Sequence, residues 1–139
     1  MRIVGLDYGE KRLGVAITDA LGLIAQPLAV LNKATVLEDC QNLEKLLADY
    51  EGISEVVVGL PKTLKGTIGP QAQKVLEFVA AVQARLPYKV VTWDERFTSK
   101  AAERVLIEAG LSRQKRKSVI DKSAAALILQ GYLDCRRSN

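Results

Sequence analysis

The sequence predicts an α/β fold in which a mixed five-stranded sheet carries helices on both faces. Three β-rich runs come first, at residues 2–7, 12–19 and 24–31, and a tight Gly-containing turn predicts a hairpin between the first two. Two later apolar runs, 55–60 and 89–93, alternate with segments whose apolar residues recur at helical spacing. Helical crossovers of this kind place the fourth and fifth strands parallel to the first, so the sheet is predicted to be mixed.

The first two helices are indicated by their starting residues. Thr35-Val36-Leu37-Glu38 is a capping-box pattern, and Pro70 suits the first turn of a second helix. The apolar stripe of the first helix comprises Val36, Cys40, Leu43, Leu47 and Tyr50. Gly14 and Ala16 in the second strand are small, which predicts that a helix packs close to that strand.

The last part of the chain predicts two helices separated by a basic loop. The first of them covers about 99–109 and ends at Gly110, and the second runs from about Ser118 to Cys135. The run Arg113–Lys117 between them is rich in positive charge. We expect it to be a mobile loop that contacts phosphate backbone without reading sequence.

Composition limits the class of protein. The 139 residues suffice for a single domain spanning 1–139, and 48% of them are apolar, which is enough for a buried core. No apolar run approaches the roughly 18 residues of a membrane span, and the charges within residues 1–20 do not fit a secretory signal. We therefore expect a cytoplasmic protein without membrane contact. Cys40 and Cys135 lack CxxC spacing and are interpreted as small core hydrophobic residues or as bystanders, rather than as a disulfide or a zinc site.

The chain contains no histidine. This absence excludes Ser-His-Asp triads, Cys-His pairs and zinc sites that need imidazole. Any catalysis must therefore use carboxylates, hydroxyls, lysine, arginine or a bound metal.

Positive charge is concentrated towards the end of the sequence. Residues 111–139 hold seven Lys and Arg against two Asp and Glu, a net charge of +5, whereas residues 1–110 have a net charge of −1. Clustering of this kind suits a polyanionic partner. A solvated loop and terminal segment would produce the same pattern, so charge alone leaves both interpretations open.

Three acidic residues stand where predicted strands or helices begin or end. Asp7 follows an apolar strand run, and Glu95 follows the fifth strand. Asp121 lies in the predicted first turn of the last helix. Ligands gather at the carboxyl ends of parallel strands, and a carboxylate there must be solvated, paired or bound to a metal. We therefore expect the three acids to converge and to hold divalent metal for phosphodiester chemistry.

Four motifs follow one another along the chain. They are Asp7-Tyr8-Gly9 with Gly14-Val15-Ala16, Val58-Gly59-Leu60-Pro61, Asp94-Glu95-Arg96-Phe97-Thr98-Ser99, and Asp121-Lys122-Ser123-Ala124-Ala125. On these segments the chain resembles the YqgF/RuvX family of the RNase H-like, Holliday-junction-resolvase-related superfamily. The resemblance covers essentially the whole chain and implies an RNase H-like fold with strand order 3-2-1-4-5. It also implies a nuclease, either in maturation of the 5′ end of pre-16S ribosomal RNA or in resolution of DNA junctions.

The resemblance implies that Asp7, Glu95 and Asp121 are the catalytic positions. Two Mg²⁺ or Mn²⁺ ions can neutralise phosphate oxygens and activate water without any histidine, and such hard ions prefer oxygen ligands. Asp7 is the expected bridging ligand, with the other two acids flanking it, and Asp94 is either a fourth ligand or an outward-facing neighbour. Each acid also has a structural interpretation: a turn bond for Asp7, a surface ion pair for Glu95 and helix capping for Asp121.

Basic residues and one glycine near the predicted strand ends are candidates for contact with nucleic acid. Gly9 allows close backbone approach to a phosphate, and Arg96 and Lys122 are candidates for stabilising charge in the transition state. The complete set is Gly9, Lys11, Arg12, Lys62, Arg96, Lys115, Arg116, Lys117 and Lys122. Any single one of these charges is more often solvated than functional.

Two other functions stay open on the sequence. A nucleic-acid-binding accessory factor without catalysis, in ribosome assembly or transcription, would need only the basic segment. A nucleotide-dependent phosphotransferase of the actin-like kinase type is suggested by the Asp7-x-Gly9 turn, although those enzymes need a second related domain. The sequence also leaves open whether the substrate is RNA or branched DNA, and whether the protein is a monomer or a homodimer.

Overall fold

Five strands and three helices make up the described part of the chain. The computed structural model describes residues 1–63, 65–95, 110 and 112–137, and it describes only the backbone for 113–123 and 137. The strands are β1 Arg2–Tyr8, β2 Arg12–Thr18, β3 Ala25–Asn32, β4 Ile53–Leu60 and β5 Lys89–Asp94. The helices are α1 Val36–Leu47, α2 Pro70–Arg85 and α3 Arg113–Arg137. All five predicted strands are present, with bounds that differ by one or two residues.

The strands form one mixed sheet in the order β3-β2-β1-β4-β5. β2 is antiparallel to both β1 and β3, whereas β4 is parallel to both β1 and β5. The predicted strand order is therefore confirmed. Because β1, β4 and β5 are parallel, their carboxyl ends lie at the same edge of the sheet.

β3 is an edge strand whose pairing with β2 is interrupted. Val15 pairs with Ala29 and Ala16 pairs with Pro27, so the register shifts between these two pairs. Proline has no backbone N–H, and it is tolerated in a sheet at an edge or at a bulge. Pro27 lies on the edge strand and directly beside this register shift.

α1 and α2 cover one face of the sheet. Alternate residues of the strands pack there against the apolar sides of both helices, as the predicted stripe of α1 requires. Buried members of this core include Val4, Leu6, Leu13, Val15, Cys40, Leu43, Leu47, Val56, Val58, Val75 and Val82. Tyr8 stacks on Phe78 with the ring centroids 4.0 Å apart, so the end of β1 is fixed against α2.

The start of α1 is tied to β1 through a buried carboxylate. The Thr35 hydroxyl accepts a hydrogen bond from the Glu38 N–H (3.1 Å), which confirms the predicted cap. Asp39 is buried and accepts hydrogen bonds from the Tyr8 hydroxyl (2.8 Å) and the Ala34 N–H (2.8 Å). A buried carboxylate needs such partners, so these two bonds fix α1 relative to β1.

α3 packs along the other face of the sheet, where small residues allow close contact. A Cβ atom added to Gly5 would lie 2.6 Å from the Leu129 Cβ atom and 2.9 Å from the Ala125 carbonyl oxygen. A Cβ atom added to Gly14 would lie 3.5 Å from the Ala125 Cβ atom, which is ordinary contact. The helix predicted to pack close to β2 is therefore α3, and its contact with β1 at Gly5 is tighter still.

α3 runs antiparallel to β1. Its C-terminal part is anchored near the start of β4, where the buried Glu55 accepts hydrogen bonds from the Tyr132 hydroxyl and the Arg136 guanidinium (3.1 Å). Ala125 lies instead over Gly14, close to the end of β1. The residues of α3 before Ala125 therefore extend towards the carboxyl ends of the parallel strands.

α3 begins five residues earlier than predicted. The prediction of a mobile loop at Arg113–Lys117 is wrong, because these residues form the first turns of the helix. Lys, Arg and Gln are good helix formers, and the run contains no Gly or Pro that would stop a helix. Asp121 lies in the third turn rather than the first, so the interpretation of Asp121 as a helix-capping residue is also wrong. The helix predicted at 99–109 lies outside the described residues.

The cysteines behave as predicted. Cys40 is buried, Cys135 is exposed on α3, and both are free thiols. Trp93 is partly buried and packs against the core under α3, with its ring centroid 6.0 Å from that of Tyr132 in an edge-to-face arrangement. Within the described ranges, no helix is both long enough and apolar enough to cross a membrane.

We expect Gly5→Ala to destabilise the protein and Gly14→Ala to be tolerated. The methyl group at residue 5 would meet the Ala125 carbonyl oxygen and the Leu129 Cβ atom, neither of which can rotate away. Overpacking of this kind costs about 1–3 kcal/mol of unfolding free energy. Urea unfolding of both variants measures the difference, and equal stability of the two would contradict the tighter contact of α3 with β1.

Candidate active site

Asp7 and Glu95 meet at the edge of the sheet where the parallel strands end. Asp7 is the next-to-last residue of β1, and Glu95 directly follows β5. β4 lies between these two strands, and neighbouring strands are about 4.8 Å apart, so the two side chains approach each other across it. Their carboxyl groups share a hydrogen bond. The structure therefore brings together two of the three acids predicted to converge.

A glycine in β4 makes room for Glu95. A Cβ atom added to Gly59 would overlap the Glu95 Oε1 atom and would lie 2.9 Å from its Cγ atom. Ile128 of α3 closes the same space, with its Cδ1 atom 2.6 Å from that Cβ position. Gly59 is not among the site residues predicted from the sequence. A glycine inside an apolar strand run is the available signal, because it often marks close approach of another group.

Glu95 is held in a form that resists ionisation. The pKa of its carboxyl is raised from 4.5 to about 8. Burial is the largest cause, and the charge of Asp7, the hydrogen bond with Asp7 and the charge of Asp94 act in the same direction. The hydrogen bond between the two carboxyl groups requires one proton, because two ionised carboxylates have none to donate.

The Asp7–Glu95 pair fits a divalent metal. Both side chains offer oxygen ligands, which Mg²⁺ and Mn²⁺ prefer, and a cation between them would relieve the repulsion of two ionised carboxylates. Among the side chains that the structure describes, no three acidic, cysteine or histidine groups cluster as a metal site. Asp94 is the weaker candidate ligand, since Trp93 packs under α3 and alternation along β5 turns Asp94 towards the other face.

The third predicted ligand, Asp121, lies on the part of α3 that extends towards the site. Its side chain is outside the described atoms, and its backbone lies four residues before Ala125. A Cβ atom added to Gly14 would lie 3.5 Å from the Ala125 Cβ atom and 3.6 Å from the Asp7 Cβ atom, so α3 passes close to Asp7 there. Four helical residues add about 6 Å towards the carboxyl ends of the strands. The convergence of Asp121 with the other two acids stays a prediction.

A groove beside Asp7 is bordered by basic side chains. Its cavity of about 400 Å³ is lined by Asp7, Gly9, Glu10, Lys11, Arg12, Gly14 and Val30. Lys11 and Arg12 are exposed in and after the β1–β2 turn, and Lys62 follows the end of β4 and is partly buried. Arg96 lies outside the described residues. Only the backbone is described for Lys115, Arg116, Lys117 and Lys122.

Solved structures of resolvases share this fold. T. thermophilus RuvC in complex with a Holliday junction substrate has a TM-score of 0.56, with 18% sequence identity and coverage of 92% of this chain and 91% of that chain. The fowlpox virus Holliday junction resolvase has a TM-score of 0.55, with 17% identity and coverage of 97% and 99%. These identities establish the fold alone. The mixed sheet in this strand order is the RNase H-like fold, so the chain is of the RNase H-like fold class.

Sequence comparison identifies the family. The family profile described as RuvX, Holliday junction resolvase, matches residues 1–135. Relatives named "Putative pre-16S rRNA nuclease" from Halothermothrix orenii and Desulforamulus reducens are 51% and 48% identical, over 96% of this chain and 95% and 97% of their own lengths. A relative of the same name from Thermoanaerobacter pseudethanolicus is 48% identical over 99% of both chains. The chain belongs to the RuvX family.

We expect Gly59→Ala to weaken metal binding more than it weakens the fold. The new methyl group would meet outer atoms of the Glu95 and Ile128 side chains, which can rotate away, so Glu95 would leave its place beside Asp7. Calorimetric titration with Mn²⁺ should show about tenfold weaker binding. The free energy of unfolding, measured in urea, should change by less than about 1 kcal/mol. Gly5→Ala is the matched control, because it should weaken the fold more than it weakens metal binding. Unchanged Mn²⁺ binding by Gly59→Ala would contradict this role of Gly59.

Stability of the metal-free protein is expected to fall as pH rises through the range in which Glu95 titrates. The folded chain holds the Glu95 proton up to about pH 8, whereas the unfolded chain loses it near pH 4.5. The folded state therefore binds more protons in this window, and its stability decreases with rising pH. Urea unfolding in EDTA at several pH values within this window measures how steeply the free energy of unfolding falls with pH. Glu95→Gln should make this slope smaller. If the free energy of unfolding depends on pH equally in Glu95→Gln and in the exposed control Glu51→Gln, Glu95 is not the group responsible.

Proposed function

We propose that this protein is a metal-dependent nuclease that hydrolyses phosphodiester bonds in nucleic acid. The contact between Asp7 and Glu95 at the carboxyl ends of parallel strands is the observation that carries the proposal. Such a pair is costly when ionised unless a cation is bound. Membership of the RuvX family supports the same activity.

Asp7, Glu95 and Asp121 are the proposed metal-binding and catalytic residues. Bound Mg²⁺ or Mn²⁺, most simply two ions, would neutralise charge on the phosphate oxygens and lower the pKa of an attacking water. Asp7 is the proposed bridging ligand, because it lies on the central strand β1 and α3 passes close to it at Ala125. Glu95 is the flanking ligand that must lose a proton when metal binds, so proton release is expected to accompany metal binding.

Basic residues around the groove are the proposed contacts to the nucleic-acid backbone. Lys11 and Arg12 are exposed beside Asp7, and Gly9 presents backbone without a side chain to hinder a phosphate. Lys62 lies at the neighbouring strand end. These contacts would supply affinity that depends on salt concentration and not on base sequence. We propose the same contribution from Arg96, Lys115, Arg116, Lys117 and Lys122.

Pre-16S ribosomal RNA is the substrate that we propose first. The relatives that match nearly the whole chain at about half identity are named for that RNA. A four-way DNA junction is the second candidate, because the family is described as Holliday junction resolvase. Symmetric cleavage of a junction needs two active sites, and it would therefore require a dimer of this chain.

Substrate choice and metal dependence can be measured together. We expect the parent protein with Mg²⁺ or Mn²⁺ to cleave an RNA that spans the 5′ end of 16S rRNA faster than a four-way junction or a plain duplex. Asp7→Asn and Glu95→Gln should each lower the cleavage rate by at least about a hundredfold, because each removes a metal ligand. Asp121→Asn tests the third position in the same assay.

Matched controls separate the site from the general loss of an acid. Asp49→Asn and Glu51→Gln remove exposed carboxyl groups of the same types elsewhere on the surface, and they should cleave at the parent rate. Faster cleavage of the junction would favour the resolvase function. If the protein binds these substrates but cuts none of them with either metal, it is an accessory binding factor and the nuclease proposal is overturned.

A further inference from the structure

Two side chains from different elements hold the backbone that directly follows Asp7. The Gln71 Nε2 atom, in the first turn of α2, donates to the Tyr8 carbonyl oxygen (3.3 Å). The Lys33 Nζ atom, between β3 and α1, donates to the Gly9 carbonyl oxygen (2.9 Å). Two consecutive carbonyl groups at the end of β1 are therefore each fixed by a side chain that lies far away in the sequence.

Lys33 makes further contacts with the same turn. Its Nζ atom lies 4.0 Å from the centroid of the Tyr8 ring, which is a cation–π contact. Its backbone N–H donates to the Lys11 carbonyl oxygen (3.0 Å), and the Gly9 N–H donates to the Arg12 carbonyl oxygen (2.9 Å). The main chain and the side chain of Lys33 thus hold opposite sides of the three-residue turn between β1 and β2.

The ring beneath the Lys33 ammonium group is itself immobilised. Tyr8 is buried, its ring stacks on Phe78, and its hydroxyl donates to the buried Asp39. The pKa of the Tyr8 hydroxyl is raised by burial first and then by its hydrogen bond to Asp39, so this group stays a donor at neutral pH. Lys33 therefore connects the turn to α1 and α2 through Tyr8.

We propose that Lys33 and Gln71 are positioning residues that hold the turn after Asp7 and thereby fix the Asp7 carboxylate for metal binding. The second half of this inference rests on the proposed function. Gly9 makes the turn adaptable, since glycine restrains the backbone least. A metal ligand beside an adaptable turn needs outside support, because displacements of about 1 Å are costly at a catalytic site.

The sign of the effect on metal binding separates positioning from simple charge. Lys33 carries a positive charge near the site, so its removal would tighten binding of a cation if charge were its only contribution. If Lys33 acts by positioning, its removal weakens binding. Gln71 is neutral, and its removal should weaken binding for the same reason without any change of charge.

The first measurement is amide hydrogen exchange in the metal-free protein, compared among the parent, Lys33→Met and Gln71→Leu. We expect exchange of the Gly9 amide to be about tenfold faster in Lys33→Met, because a bond from a charged donor is lost, and to be faster by a smaller factor in Gln71→Leu. Amides in the centre of β4 should be unchanged. Lys45→Met on α1 and Gln83→Leu on α2 are matched controls at exposed positions.

The second measurement is calorimetric titration with Mn²⁺ alone. Lys33→Met and Gln71→Leu should each bind Mn²⁺ about tenfold more weakly, and Lys33→Arg, which keeps the donor and the charge, should recover part of the loss. With a substrate that the parent cleaves, kcat should fall while KM stays near the parent value, because positioning of Asp7 acts on the chemical step.

The outcomes distinguish this inference from the proposed function. Unchanged Gly9 exchange in Lys33→Met, or tighter Mn²⁺ binding by that variant, would overturn the positioning role even if the protein is an active nuclease. If the parent binds no Mn²⁺, the metal part of the proposed function fails and the positioning role towards metal fails with it. In that case Gly9 exchange still decides whether Lys33 and Gln71 hold the turn.

Discussion

Two acidic groups held against each other at the end of a sheet are the constraint that explains most of this site. The carboxyl groups of Asp7 and Glu95 share a hydrogen bond in a partly buried place, where ionising both is costly. Buried apolar side chains on both faces of the sheet stabilise the fold and offset that cost. Neutral side chains at these two positions would avoid that cost, so the pair is best explained by what it binds.

Most of the fold follows from signals that act within a few residues. Alternation, apolar runs and the Thr35 capping pattern predict the five strands and α1, because each reflects local geometry and burial. The start of α3 could not be predicted in this way. The run Arg113–Lys117 is charged enough for a loop, yet its residues favour a helix and continue into the apolar segment that packs on the sheet. Charge indicates exposure to solvent, and it does not distinguish a loop from an exposed helical turn.

The site divides into a part that the sequence indicates and a part that only the fold discloses. Asp7 and Glu95 could be predicted, because acids at the ends of parallel strands share one edge of the sheet. Lys33 and Gln71 look like ordinary surface residues, and their partners lie 24 and 63 residues away along the chain. Gly59 is conspicuous in its strand, but the side chain that needs its space belongs to the residue after β5 and can be named only from the structure.

The bulged outer edge of β3 limits how these molecules can assemble. An exposed strand edge can recruit a strand from another molecule and so begin aggregation. Proline on an edge strand turns its missing donor towards solvent, and a bulge interrupts the regular ladder, so Pro27 makes this edge a poor template for strand addition. We therefore do not expect two copies to pair through β3, the strand whose Val30 lines the groove beside Asp7.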